Sequence, residues 1–328
     1  MEKHELSSAV IGVGKMGKHH ARILSQTEGV RLVAVCDPSE EAARSVAKER
    51  NCKSYSDYRK MLSEEKPDLV IIATPTSSHA EIALACIEAG SNVMVEKPIA
   101  AEIEDAEKMV ARAKEKGKIL MVGHVERFNP AVIALKRIVD SGEIGEPLSI
   151  ISRRVGVYPP RIKDASVVVD LAVHDIDLMN YFFGREPDSI VCNGGRSILE
   201  DRADYAEIFM VYGKATGIVQ ANWITPIKVR ALVVTGSRGY AEIDYIFQKL
   251  KVVKPASTLP SDYSNFEEFV KAFSKAEETL IDIPKAEPLA LEISHFVESV
   301  RNKTAPLTDG KAGLSALSLA KKAEKQIN

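Results

Sequence analysis

The feature that most narrows the possible folds is Gly12-Val13-Gly14-Lys15-Met16-Gly17, which follows the apolar run Ala9-Val10-Ile11 and precedes an amphipathic stretch from Met16 to Gln26. A GxGxxG spacing between a strand and a helix meets three separate steric demands. Gly12 permits the tight turn, Gly14 lets a pyrophosphate come close to the backbone, and Gly17 lets helix and strand pack tightly. The helix start, with Lys15 and Met16, then presents free N–H groups and the positive end of its dipole to the phosphates. Asp37 stands twenty residues past Gly17, at the end of the next strand, where a carboxylate can accept hydrogen bonds from an adenosine ribose. The same charge repels a 2'-phosphate, which favours NAD over NADP as the cofactor. Two blander readings stand beside this one: a glycine turn that only connects strand to helix, and Asp37 as a helix N-cap, a task for which Ser39 is better placed.

From Ser8 to Gly123 short apolar runs alternate with helical stretches, the pattern of βαβ units closing a parallel sheet. The runs are Ala9 to Gly12, Val30 to Cys36, Leu69 to Ala73, Asn92 to Val95 and Ile119 to Val122; helices are expected near 16–26, 40–50, 79–89 and 103–116. Runs that are apolar throughout suit strands covered on both faces. Beyond Gly123 comes a helix over 129–141, then strands over 148–155, 189–192, 206–212, 216–221, 230–235 and 240–245, interrupted by a helix over 169–183 that ends at Gly184. Several of these strands alternate polar and apolar residues and are joined by glycine turns, as in a mostly antiparallel sheet with one open face. Two helices, over 289–302 and 311–326, form the tail. With 328 residues the chain accommodates two α/β domains: a doubly wound Rossmann domain over 1–123 and a second domain with the open sheet over 124–328.

A formal net charge of -2, from 44 basic and 46 acidic residues, gives no reason to expect a nucleic-acid or membrane partner. Cys36, Cys52, Cys86 and Cys192 form no CxxC pair and no cluster with histidine, so neither a zinc site nor a disulfide framework is indicated. The N-terminal apolar run is too short for a signal-peptide core, and the expected location is the cytoplasm.

Three segments can carry chemistry. Thr74-Pro75-Thr76 closes the third of the apolar runs at its carboxyl end, where ligands bind in doubly wound sheets; His79, just beyond, is read as holding the loop in shape. Val93-Met94-Val95 gives way to Glu96-Lys97-Pro98, which sets two charges at the same edge; Lys97 can donate to a substrate oxygen, and a solvated surface lysine is the alternative. Asp170 and His174 lie four residues apart on an expected helix, within reach of each other, so that Asp170 can orient an imidazole that removes a hydroxyl proton. Such a pair is also common as a surface ion pair. No third ligand accompanies it, and no metal is expected.

Taken together, Gly12 to Gly17 with His20, Asp37, Ala73-Thr74-Pro75 with His79, Glu96-Lys97-Pro98, and Asp170 with His174 resemble the glucose-fructose oxidoreductase, inositol dehydrogenase and rhizopine-catabolism (Gfo/Idh/MocA) family over essentially the whole chain. The resemblance implies an NAD-dependent dehydrogenase in which Lys97, Asp170 and His174 act on the substrate and Glu96 binds the nicotinamide ribose. It also implies homodimers or homotetramers that pair their open sheets. Val122 to Pro130 and Val169 to Asp177 are similar to the archaeal branch that oxidises nucleotide-activated amino sugars, implying oxidation at C3 of a UDP-N-acetylhexosamine. Val168-Val169 departs from the glycine that several relatives carry there. Arg127, Arg154, Tyr158 and Arg161 are candidates for the substrate's diphosphate or sugar, or else surface groups. A free sugar or polyol as substrate, and a non-catalytic NAD-binding regulator, are the alternative functions.

Overall fold

The computed structural model describes residues 5–159, 165–255, 265–268 and 276–327. The first 128 residues begin with β1 (Leu6–Ile11), α1 (Lys15–Leu24), β2 (Val30–Cys36), α2 (Glu40–Arg50), β3 (Lys53–Tyr55) and α3 (Tyr58–Glu65). They continue with β4 (Leu69–Ile72), α4 (His79–Glu88), β5 (Asn92–Glu96), α5 (Ile103–Glu115) and β6 (Leu120–Gly123). The strands pair in parallel in the order β3-β2-β1-β4-β5-β6. Strand order reverses between β1 and β4, so the crevice for a ligand opens at their carboxyl ends, beside Gly12 and Thr74. The expected strands and helices all form. Sequence reading passed over β3 and α3, because Lys53-Ser54-Tyr55 is three residues of exposed or half-buried edge with no apolar run to mark it.

The remainder contains α6 (Pro130–Asp140), β7 (Pro147–Val155), α7 (Val173–Phe183), β8 (Ser189–Gly195), β9 (Tyr205–Tyr212) and β10 (Ala215–Asn222). After these come β11 (Val229–Gly236), β12 (Gly239–Asp244), β13 (Lys249–Pro255), β14 (Ala276–Ile281), α8 (Pro288–Asn302) and α9 (Gly310–Glu324). One mixed sheet runs β14-β13-β12-β11-β7-β10-β9-β8, antiparallel throughout except where β10 lies parallel to β7. Helices α6 and α7 pack on one face of it. On the other face the register sets Val191, Phe209, Ile218, Ile151 and Val233 side by side across neighbouring strands. Strands β13 and β14 were not expected; Ala276 to Leu280 is exposed at every position and carries no apolar alternation that reads as a strand.

The chain divides into two compact units, one of 1–128 with 287–318, the other of 129–286 with 319–328. Sequence reading cut the chain once, after Gly123, and gave the whole tail to the second domain. The difference has a plain cause in apolar burial. From α8, Leu289, Ile293, Phe296 and Val297 join α1 and β2 residues in the core on one face of the parallel sheet, and from α9 Leu317 joins the core on the other face. Phe296 is fully buried. We therefore expect Phe296→Ala to lower the unfolding free energy by about 3–5 kcal/mol, measured by urea denaturation. A loss below about 1 kcal/mol would make α8 a peripheral attachment.

Candidate functional site

The glycine turn has the strain pattern that its spacing requires. Gly12 sits at φ +85°, and a Cβ there would stand 2.6 Å from the carbonyl oxygen of Ala73. At Gly17 a Cβ would overlap the carbonyl oxygen of Gly12, so helix and turn touch backbone to backbone. Gly14 is different: a Cβ there would meet nothing within 4 Å. As N-cap of α1 it offers no capping side chain, and Lys15 and Met16 beside it are exposed. An open space over uncapped helix amides fits a pyrophosphate. Asp37 is half-buried and organises the turn, its Oδ2 accepting the Val13 N–H at 2.9 Å and its Oδ1 the Ser39 N–H at 2.9 Å. Each carboxylate oxygen keeps capacity for a further donor, so ribose hydroxyls are accommodated. The N-cap of α2 is Ser39, whose side chain accepts the Ala42 N–H.

Behind this turn lies a pairing that reasoning from the residues alone missed. His20, fully buried, approaches Glu96 with Nε2 2.7 Å from Oε1, joining α1 to the end of β5. The signal was in the helix: Gly17, His20, Ala21 and Leu24 form its buried stripe, which places His20 on the sheet side rather than the surface. Burial pushes the Glu96 carboxyl up. The hydrogen bond from His20 and the charges of His20, Lys97 and His79 outweigh that effect, and the pKa settles below the ordinary carboxylate value. Lys97 follows directly, in cis peptide linkage to Pro98.

His79 ties the two neighbouring loops together. Its ring is buried, with Nδ1 2.9 Å from the Pro98 carbonyl oxygen and Nε2 3.0 Å from that of Thr74. Burial lowers its pKa, against the partial counterweight of the Pro98 and Thr74 carbonyls, the Glu96 charge and the Ile99 backbone. Thr74 Oγ1 accepts a hydrogen bond from Ser78 Oγ at 2.8 Å, and Pro75 precedes the short helical turn Thr76–Ser78. The loops after β4 and β5 thus share one buried imidazole.

In the second unit the expected regular helix over 169–183 is interrupted. Val168–Ala172 forms a wider, π-helical turn, and α7 begins only at Val173. The turn coincides with three consecutive buried β-branched residues, Val167 to Val169, whose crowding disfavours a regular α-turn. Asp170 therefore sits on the π-turn and His174 in the first turn of α7, both half-buried. π-turns are frequent at functional sites. Asp175 points elsewhere: fully buried, it accepts from Ser152 Oγ at 2.5 Å and from Arg154 at 2.6 Å (Nε) and 3.2 Å (Nη2).

That ion pair removes Arg154 from the substrate candidates, since its fork is filled by a carboxylate and its guanidinium lies 5.2 Å from the Tyr245 ring centroid. Arg127 is likewise buried, in the first unit, donating to the Leu307 carbonyl at 3.0 Å. Tyr158 is half-buried, packs edge-on against Trp223 at 5.4 Å, and its hydroxyl accepts from Arg202 at 3.2 Å. Arg161 lies outside the described residues. Among the described residues no group of three or more His, Cys, Asp or Glu side chains is arranged to hold a metal ion.

Comparison with known proteins agrees with this geometry. Residues 6–124 match the model of the oxidoreductase family with an NAD-binding Rossmann fold, and residues 132–242 match the GFO/IDH/MocA C-terminal domain. The UDP-N-acetylglucosamine 3-dehydrogenase of Acidithiobacillus ferrooxidans, a bacterial protein rather than an archaeal one, is 28% identical over 96% of this chain and 95% of its own. The solved structure of that enzyme superimposes with a TM-score of 0.87 at 27% identity, over 98% of this chain and 97% of that one. The scyllo-inositol 2-dehydrogenase (NAD(+)) of Bacillus subtilis is 30% identical over 93% of this chain and 89% of its own. The two glycines of the turn should separate stability from cofactor binding: Gly17→Ala lowers the unfolding free energy by about 1–3 kcal/mol. Gly14→Ala leaves stability unchanged and weakens NAD binding, as measured by denaturation and by NADH fluorescence titration.

Proposed function

The chain belongs to the Gfo/Idh/MocA family of NAD-binding oxidoreductases, and from that premise we propose that it oxidises the C3 hydroxyl of a UDP-N-acetylhexosamine such as UDP-N-acetylglucosamine. The observation that carries the reaction class is the end of β5, where a buried imidazole fixes Glu96 and the next residue, Lys97, stands at the ligand edge of the sheet. The substrate reading is supported by likeness to the Acidithiobacillus enzyme along nearly the full length of both chains.

NAD, when bound, supplies the hydride acceptor. The amides of α1 hold its diphosphate, Asp37 its adenosine ribose and Glu96 its nicotinamide ribose. The Asp37 charge opposes a 2'-phosphate, which favours NAD over NADP. Lys97 donates to the substrate hydroxyl oxygen and stabilises the negative charge that grows there. His174 takes the hydroxyl proton, and Asp170 orients its ring and stabilises the imidazolium. Lys97→Ala and His174→Ala should each lower kcat by about 10²- to 10⁴-fold while NAD affinity is kept. Unchanged turnover in both variants would remove this mechanism.

A polyol of the inositol type is the second reading, favoured by the likeness to the Bacillus inositol enzyme over most of both chains. NADH absorbance in parallel assays of UDP-N-acetylglucosamine and scyllo-inositol separates the two; higher kcat/KM on the nucleotide sugar, with inhibition by UDP, is the expected result. With Arg127 and Arg154 committed to internal partners, Tyr158 and Arg161 remain the proposed contacts to the nucleotide diphosphate or sugar.

We also propose that the chain works as a homodimer or homotetramer in the cytoplasm, where cysteines that are all free suit a reducing environment. Among the described residues no helix is long and apolar enough to cross a membrane. The apolar row on the open sheet, in which Val191, Phe209 and Ile151 remain 58%, 42% and 38% exposed, is the surface suited to pairing with a second copy. Phe209→Glu should reduce the mass measured by light scattering to that of a single chain, and an unchanged mass would place the pairing elsewhere.

A further inference from the structure

We infer that the first unit carries a second small-molecule site, for an amphipathic anion of the nucleoside-phosphate kind, between α5 and the connection from α8 to α9. A cavity of about 710 Å³ opens there, within the size range of sites for small ligands. It borders Asn92 and Leu120, the first residues of β5 and β6, and so lies at the edge of the sheet opposite to Glu96 and Gly123. The dinucleotide reading leaves it unused.

Four lysines line it: Lys114 from the last turn of α5, Lys118 from the following loop, Lys303 after α8, and Lys311 at the start of α9. Among the described residues none of these four is ion-paired, whereas their neighbours Arg112 and Lys116 are both paired with Glu88. Arg112 and Lys116 are neutralised by Glu88, and the four lysines of the cavity are not neutralised in this way. Its one carboxylate, Asp309, has an oxygen committed to the Ala312 N–H at 2.9 Å. Ammonium groups that no carboxylate pairs, set around a concavity, add up to a local positive potential.

Charge alone would suit any polyanion, but the lining also has an apolar portion made of Val110, Leu120, Val300 and Pro306. Its wall is firm. Asn92 donates to the Asp68 carbonyl at 3.1 Å and accepts the Ile119 N–H at 3.0 Å, and at Gly310 even a Cβ would stand 2.9 Å from Leu120. Cations with an apolar surface match a ligand that joins phosphates to a ring.

The test uses the whole protein saturated with NAD, so that the dinucleotide site is filled, with ATP and inorganic pyrophosphate as probes in calorimetric titrations at low salt without divalent cations. Saturable ATP binding is expected, tighter than that of pyrophosphate and weakened about tenfold in Lys114→Gln/Lys303→Gln. Ala305→Trp, which fills the cavity without altering charge, should also weaken ATP binding, and turnover should stay at the wild-type level in both variants. The inference is overturned if ATP fails to saturate, if pyrophosphate binds as tightly as ATP, or if either variant binds ATP as the wild type does, which would assign the nucleotide to another place. None of these results bears on the dehydrogenase reading, which the turnover of Lys97→Ala and His174→Ala decides separately.

Discussion

The contact between His20 and Glu96 is the constraint on which the first unit's active edge depends. It spans 76 residues of chain and joins a helix that begins at the glycine turn to the strand that ends at Glu96, directly before Lys97. A carboxylate buried at a strand end is costly unless it is paired and hydrogen-bonded, and removing one partner of such a pair strands the other. The imidazole meets that cost at 2.7 Å and keeps Glu96 ionised. One side chain of α1 thereby couples the helix that follows the glycine turn to the strand that presents Glu96 and Lys97.

His79 repeats the device one loop away. Its two ring nitrogens stand against the carbonyls of Thr74 and Pro98, so that the turns after β4 and β5 are held by a single rigid, buried group. Loop backbone carries polar groups that must find partners when buried, and the imidazole, which in its neutral form donates to one carbonyl at a time, packs between the two segments and holds them side by side. The edge is therefore shaped by buried imidazoles, while the exposed groups, Lys15 and Met16, border open space.

The second unit spends its arginine differently. Arg154 on β7 is clamped to Asp175 of α7, which also takes the Ser152 hydroxyl. The clamp fixes α7, and with it His174, to the sheet. Arg154 thus shapes this unit from within, as Arg127 does in the first unit through the Leu307 carbonyl. A planar guanidinium that suits phosphate suits a buried carboxylate equally well, and residue type alone does not distinguish the two uses.

What the amino-acid order determined by itself was local: apolar runs bounded by turns, and a glycine spacing that only one kind of strand-to-helix turn accepts. Those patterns act over a few residues, and the parallel sheet, the steric demands at Gly12 and Gly17, and the place of Glu96 and Lys97 at a strand end were all readable from them. Three-dimensional packing decided the rest. It chose His20 as the partner of Glu96, turned Arg154 and Arg127 inward, returned α8 and the first part of α9 to the first unit's cores, and widened the turn that carries Asp170. Each of these outcomes depends on which distant groups share a buried space, since burial makes the cost of an unpaired charge or an exposed apolar face large enough to override local preference.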